Sequence, residues 1–287
     1  MKRANIFGPF IGKLEWEMFY FAPHMIHLAK KTKFKSIVFT RKSRFDLYGM
    51  YADILVPLDI NESDLVVHGC GIEGYEDNYE ILAELVHKKY KRKFKIMNHL
   101  YPAIHDFYRT IKWQFPRSEM DYSFIPRLEN KVLVDNLGEL SPKNIFIDLT
   151  SFRTNEVKEV ILSQVNKLVG KKDISITLYD PNFSNGLRCS FPQIKWINSL
   201  SVDNKYVTDI GCIMSILNKS LLTVGNLDSP YSHLSLLKKV PLVSILEDRA
   251  SEDIELMNPL KTEVFVVKDI HTQDITEYIT SNLMGEK

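Results

Sequence analysis

Residues 220–245 read as one complete strand–helix–strand unit, and no other stretch restricts the fold as much. An apolar run at 221–224 leads into a polar turn at 225–229, a short helical stretch, and a second apolar run at 240–245. Two strands joined by a helical crossover lie parallel in one sheet. The turn then stands at the carboxyl end of a strand and opens a helix. Open α/β sheets take their ligands at that place, and unpaired backbone N–H groups and the helix dipole favour a phosphate there. Asp228, Ser229, Ser232 and His233 gather in or just after the turn. His233 follows Ser229 by one helical turn, so both side chains can face one ligand.

The same alternation runs along the rest of the chain, which predicts α/β architecture with parallel sheets. In the first half, strands are expected at 5–8, 36–40, 54–56, 64–68 and 94–97, and helices at 15–31 and 77–90. Pro23 must kink or restart the first of these helices. The second would bury Tyr79, Leu82, Ala83, Leu85 and Val86. Around 136–142 the sequence turns polar, with Gly138 and Pro142. The domain boundary is placed there, giving domains 1–138 and 139–287. The second half continues with strands at 144–149, 173–178, 194–197, 221–224, 242–245 and 263–267. Its helices are expected at 156–168, 206–218 and 273–283, with Gly170 capping the first.

With 45% hydrophobic and 25% charged residues and a net charge of +1, the 287-residue chain reads as a soluble globular protein. No run approaches the roughly 20 apolar residues of a membrane helix. Lys2 and Arg3 precede a short strand rather than a leader's apolar core. Cys70, Cys189 and Cys212 have no metal-site spacing and fit reduced thiols, so the expected location is cytoplasmic. Charge is uneven in the first half. Residues 1–50 carry ten Lys and Arg against three acids, 51–86 none against nine, and 87–117 nine against one. Such islands form either solvated helix ends or a surface for a polyanion.

The stretch from Gly225 through Asp228, Ser229, His233 and Leu234 to Pro241 resembles the donor-domain motif D-S-G-x-x-H-L-A-x-x-x-x-x-P-x-V of heptosyltransferase-like glycosyltransferases. The family's glycine is Pro230 here. The opening segment, with Gly12, Trp16, Glu17 and Pro23, resembles the G-E-x-G-W-E-x-x-x-x-x-P start of some nucleotide-sugar enzymes; Lys13 and Glu15 replace its expected Glu and Gly. The two motifs cover some 40 residues. The resemblance implies a GT-B fold, with two Rossmann-like domains facing across a cleft. The second domain would bind a nucleotide-sugar, the first an acceptor, with no tightly bound cofactor and no metal.

Glycosyl transfer must deprotonate an acceptor hydroxyl and stabilise a departing diphosphate. Glu17 is the favoured general base and Glu15 the other candidate. On a helix they point about 200° apart, so only one can serve; acids at a helix start also answer the dipole. Arg153, after the first strand of the second domain, suits a diphosphate by charge and forked geometry. Ser229, Ser232 and His233 are further donor ligands. Asp228 either holds a sugar hydroxyl or caps the helix. Tyr179 and the loop after it (Asp180, Pro181, Asn182) either hold base and ribose or are turn residues. Gly12, Lys13, Trp16 and His68 are placed on the acceptor side. Lys88, Lys89 and Arg92 would meet a duplex phosphate backbone if the acceptor were a hydroxymethylated base in double-stranded DNA, as in a virus-type enzyme. A cell-surface glycan precursor is the other acceptor; it would call for an amphipathic basic membrane-docking helix, and none stands out in the sequence. A non-catalytic nucleotide or nucleic-acid binding module is the reading from a different class.

Overall fold

The computed structural model describes residues 1–10, 14, 17–58, 67–68, 71–72, 76–101, 120–125, 141, 143–169, 173–180, 190–197, 209–227, 229–246 and 258–284. The chain divides into two compact units, Met1–Arg127 and Leu128–Lys287. The expected boundary at 138/139 falls outside the described residues, as do Gly170, Cys70 and Cys189.

In the first unit β1 (Lys2–Phe10) is followed by a π-helical turn (Glu17–Phe21) and α1 (Ala22–Lys31). Then come β2 (Lys35–Arg41), a 3₁₀ turn (Lys42–Leu47) and β3 (Ile54–Leu58). A short ribbon of β4 (Val67–His68) and β5 (Gly71–Ile72) precedes α2 (Glu76–Tyr90) and β6 (Phe94–Leu100). The sheet order is β3-β2-β1-β6, and every pair is parallel. Central β1 is buried without a break from Ala4 to Phe10, as a parallel strand covered on both faces should be, while the β6 pattern shows a partly exposed edge. Ala4, Ile6, Ile37, Phe39, Val56 and Leu58 line the face that packs on Val86 and Tyr90 of α2.

Three expectations change here. The helix expected over 15–31 is not one α-helix: among the described residues, a π turn ends at Phe21 and α1 starts at Ala22. Pro23 thus falls in the first turn, where its missing N–H costs no hydrogen bond. The strand expected at 64–68 is described only at Val67–His68, which pairs antiparallel with β5 and joins neither parallel sheet. Leu85, expected inside, is 56% exposed. The helix turns Val86 and Tyr90 to the sheet and also buries Ala83, and Leu85 lies off that stripe.

The second unit runs β7 (Lys143–Asp148), α3 (Asn155–Asn166), β8 (Ile174–Tyr179), β9 (Lys195–Ile197), α4 (Asp209–Leu217) and β10 (Ser220–Gly225). It ends with α5 (Pro230–Lys238), β11 (Leu242–Ile245), β12 (Val264–Val267) and α6 (Ile275–Met284). Its six strands are parallel in the order β12-β11-β10-β7-β8-β9. Counted within the unit, this is the 3-2-1-4-5-6 order of doubly wound nucleotide-binding sheets. Ile145, Ile147, Ile176, Leu178, Leu222 and Val224 pack on Ile161, Leu162 and Val165 of α3 and on Ile275 and Ile279 of α6. Buried Asn144 ties three strands together. Its Oδ1 accepts from Ser175 Oγ (2.9 Å) and Thr177 Oγ1 (2.8 Å), and its Nδ2 donates to Ser220 Oγ (2.8 Å). A buried amide this well satisfied fixes register, because a slip would orphan it.

Candidate functional site

The strand order of the second unit reverses between β7 and β10. After β7 the chain moves to one side of the sheet, and after β10 to the other. Crevices at such switch points take ligands. Asp148, the last residue of β7, is fully buried there. Its Oδ1 accepts from Thr150 N (3.1 Å) and Thr150 Oγ1 (2.6 Å), and its Oδ2 from Ser232 Oγ on α5 (3.1 Å). Thr150 Oγ1 lies 3.2 Å from Ser229 Oγ. Burial pushes the Asp148 carboxyl above the ordinary range; hydrogen bonds from Ser229, Thr150 and Ser232 oppose that shift.

Local chemistry shapes this corner. Ser229 is the N-cap of α5, its Oγ accepting from Tyr231 N (3.2 Å), with Pro230 in the first turn. Proline is favoured at that position, so the motif's missing glycine is absorbed without breaking the helix. Gly225 ends β10. A Cβ added there would strike Ser232 Oγ and touch Asp148 Cβ at 3.4 Å, so glycine lets α5 approach the strand end closely. His233 is buried on α5, its N–H donating to Ser229 O at 3.2 Å. Tyr179 ends β8, and its ring meets Tyr231 edge-on at 5.3 Å. Next to it, Asp180 accepts from Lys158 of α3 at 2.5 Å in a buried ion pair.

Tertiary structure thus brings Ser229 and Ser232 together with Asp148 and Thr150, a pair that sequence reasoning passed over. A carboxylate at a strand end with a threonine two residues on was the available signal, since that spacing makes an Asx turn. Arg153 is exposed ahead of α3 and lines a cavity of about 350 Å³ with Thr154, Val157, Ile245, Lys268 and His271. Asp228, Pro181 and Asn182 lie outside the described residues.

The first unit gathers a second set at the carboxyl ends of its strands. Glu17, in the π turn, is fully buried. Its Oε1 accepts from Thr40 Oγ1 (2.8 Å), near the end of β2, and from Tyr48 Oη (2.6 Å). Its Oε2 has no hydrogen-bond partner among the described residues and lies 3.9 Å from Arg44 Nε. Burial pushes the Glu17 carboxyl up; Arg44, Arg41 and the two hydroxyl donors pull it down less strongly. π turns occur often at functional sites. His99, near the end of β6, directs Nε2–H at Gly8 O (2.9 Å), where β1 takes a positive φ of 92°. Burial and the neighbouring His87 hold His99 below the ordinary histidine value. Thr40, Tyr48 and His99 carried no spacing signal, because they come from separate strand ends and a turn.

Gly12, Lys13, Glu15 and Trp16 lie outside the described residues; of His68 the structure gives only its place in β4. Lys88 and Lys89 close α2, and Arg92 lies in the turn before β6. All three stand at the amino edge of the sheet, opposite the edge that holds Glu17. Among the described residues no cluster of three or more His, Cys, Asp or Glu is arranged for a metal, and no helix is long and apolar enough to cross a membrane.

No protein-family model matches the sequence, and no curated protein matches it. Solved structures do share its fold. Escherichia coli ADP-heptose LPS heptosyltransferase II aligns over 100% of this chain and 99% of its own, with a TM-score of 0.56 at 10% identity. A glycosyl transferase family 9 protein from Veillonella parvula aligns over 99% of this chain and 89% of its own, with a TM-score of 0.55 at 12% identity. UDP-GlcNAc 2-epimerase from Methanocaldococcus jannaschii aligns over 100% and 93%, with a TM-score of 0.53 at 10% identity. The α/β fold is that of the GT-B proteins.

Proposed function

We propose that this protein is a glycosyltransferase. It would move a sugar from a nucleotide-diphosphate donor to a hydroxyl of a cell-surface glycan precursor. The supporting observation is the switch point of the second unit, where the motif residues Gly225, Ser229, Ser232 and His233 meet the strand end at Asp148. That is where a sheet of this strand order takes a nucleotide. Two of the fold neighbours are named as glycosyl or heptosyl transferases, one of them for ADP-heptose, and the third as an epimerase of a nucleotide-sugar.

In this reading the second unit binds the donor. The start of α5 and Arg153 face the diphosphate with partial and full positive charge, and Tyr179 and Tyr231 offer ring surface to the base. No bound metal is needed. Glu17 serves as general base through Oε2, the oxygen left over once Thr40 and Tyr48 occupy Oε1. Burial makes it a stronger base than an exposed carboxylate. The acceptor O–H gives its proton to Glu17, its oxygen bonds to the anomeric carbon, and the bond from that carbon to the diphosphate oxygen breaks.

The acceptor favoured is the glycan rather than a DNA base. Lys88, Lys89 and Arg92, offered for the duplex, lie at the sheet edge away from Glu17.

Thermal-shift titration with UDP-, GDP-, ADP- and CMP-sugars, followed by mass spectrometry of reactions with glycan acceptors, tests the proposal. One donor class should raise the melting temperature and be turned over. No binding by any of them overturns it. Tight binding without transfer favours the binding-module reading, and conversion of the free donor to an epimer favours an epimerase.

A further inference from the structure

We propose that the amino edge of the first unit's sheet is a docking surface for an anionic lipid bilayer. In a parallel sheet every strand starts on one edge, and the helices that return between strands end on it too. Here that edge carries the segments 2–3, 30–35 and 88–95: the starts of β1, β2 and β6, the last turns of α1 and α2, and the turn before β6. These hold twelve Lys and Arg, all exposed. Three of them form ion pairs with described acids: Lys30 with Asp121, Lys35 with Asp53, and Lys88 with Glu84. Twelve cations from two segments far apart in sequence thus meet on one edge, while Arg41, Lys42 and Arg44 stand at the other, with Glu17. Helix-dipole chemistry accounts for cations in the last turns of α1 and α2. It does not account for those at the strand starts, which the sheet sets in a row at about 4.8 Å intervals.

Exposed apolar side chains share these faces. Leu85 (56% exposed) lies one helical turn before Lys88 and Lys89, and Met97 (38% exposed) follows Lys95 by two residues on β6. Cations with apolar side chains among them suit the headgroup boundary of a bilayer. A nucleic-acid backbone would use the cations alone. With this edge on the surface, β1 rises away from it over nine residues, about 26 Å. A lipid-linked acceptor would have to extend that far to reach Glu17.

Sedimentation with phosphatidylcholine vesicles, with and without phosphatidylglycerol, tests the proposal independently of any sugar transfer, so it can fail while the donor reading stands, and the reverse. Binding should require phosphatidylglycerol and weaken steeply with salt. Each cation at such a surface is worth about fivefold, so the triple variant Lys91→Glu, Lys93→Glu, Lys95→Glu should lose at least about 100-fold. The same charge change in the second unit (Lys143→Glu, Lys219→Glu, Lys238→Glu) should leave binding intact, and circular dichroism checks that both variants fold. Leu85→Ser with Met97→Ser, which removes no charge, should also weaken binding. No binding to either vesicle, equal binding to both, or equal losses in the two triple variants overturns the proposal. Tighter binding to duplex DNA than to vesicles, untouched by Leu85→Ser with Met97→Ser, replaces the bilayer with a nucleic acid.

Discussion

Replacing Gly225 by alanine should break the link between α5 and the end of β7. The new Cβ would sit on Ser232 Oγ, while its approaches to Asp148 Cβ (3.4 Å) and Asp148 O (3.5 Å) are ordinary contacts. Only Ser232 therefore has to move. Its hydroxyl rotates away and Asp148 Oδ2 loses a donor held at 3.1 Å. A hydrogen bond to a buried charged group is worth about 1.5–3 kcal/mol. Alanine returns about 0.5–1 kcal/mol by restricting the unfolded chain. The expected net loss is about 1–2 kcal/mol, read by urea unfolding. The Ser232→Ala background gives the decisive control. There the Cβ meets no hydroxyl and no bond remains to lose, so Gly225→Ala should be neutral or slightly stabilising. A coupling of about 1.5–3 kcal/mol between the two sites follows. Equal costs of Gly225→Ala in both backgrounds would refute the reasoning.

Other outcomes follow from the same geometry. Lys158→Met strands the Asp180 carboxylate in the interior (side chains 9% and 1% exposed) and should cost about 3–5 kcal/mol; adding Asp180→Leu should restore most of it, and a double variant as weak as the single would count against the pair. Glu17 has a folded pKa above its unfolded one, so its contribution is fully present below about 4.5 and is lost as pH rises through the folded value. Wild-type stability should therefore fall relative to Glu17→Gln as pH rises, and a gap independent of pH would contradict this. In transfer assays Glu17→Gln should lose about 10²–10⁴-fold in rate with donor affinity unchanged; full activity would remove Glu17 as the base. NMR titration of His99 should give a midpoint below 6.5, and a value at or above it would contradict the burial argument.

Element type was legible because it is written in nearest neighbours. Runs such as Ile145–Phe146–Ile147 and the helical stripe Ile161–Leu162–Val165 declare strand and helix without reference to the rest of the chain. The strand–turn–helix after Gly225 was equally local, since cap and first turn are set within four residues, although the cap is Ser229 and not Asp228, the residue offered for it. Leu85 misled because position on a helix does not say how far the sheet beneath it extends.

By itself, the sequence determined the alternation of strands and helices, the capped turn after β10, and the uneven charge of the first half. Only the tertiary structure decided strand order, and with it everything that depends on which strand ends are neighbours. Asp148 meets Ser232 across 84 residues, Glu17 meets Thr40 and Tyr48 from separate elements, and two distant basic segments come to lie on one edge. Periodicity is a property of adjacent residues, whereas a site is made by closing loops, and no local pattern encodes which ends those loops bring together.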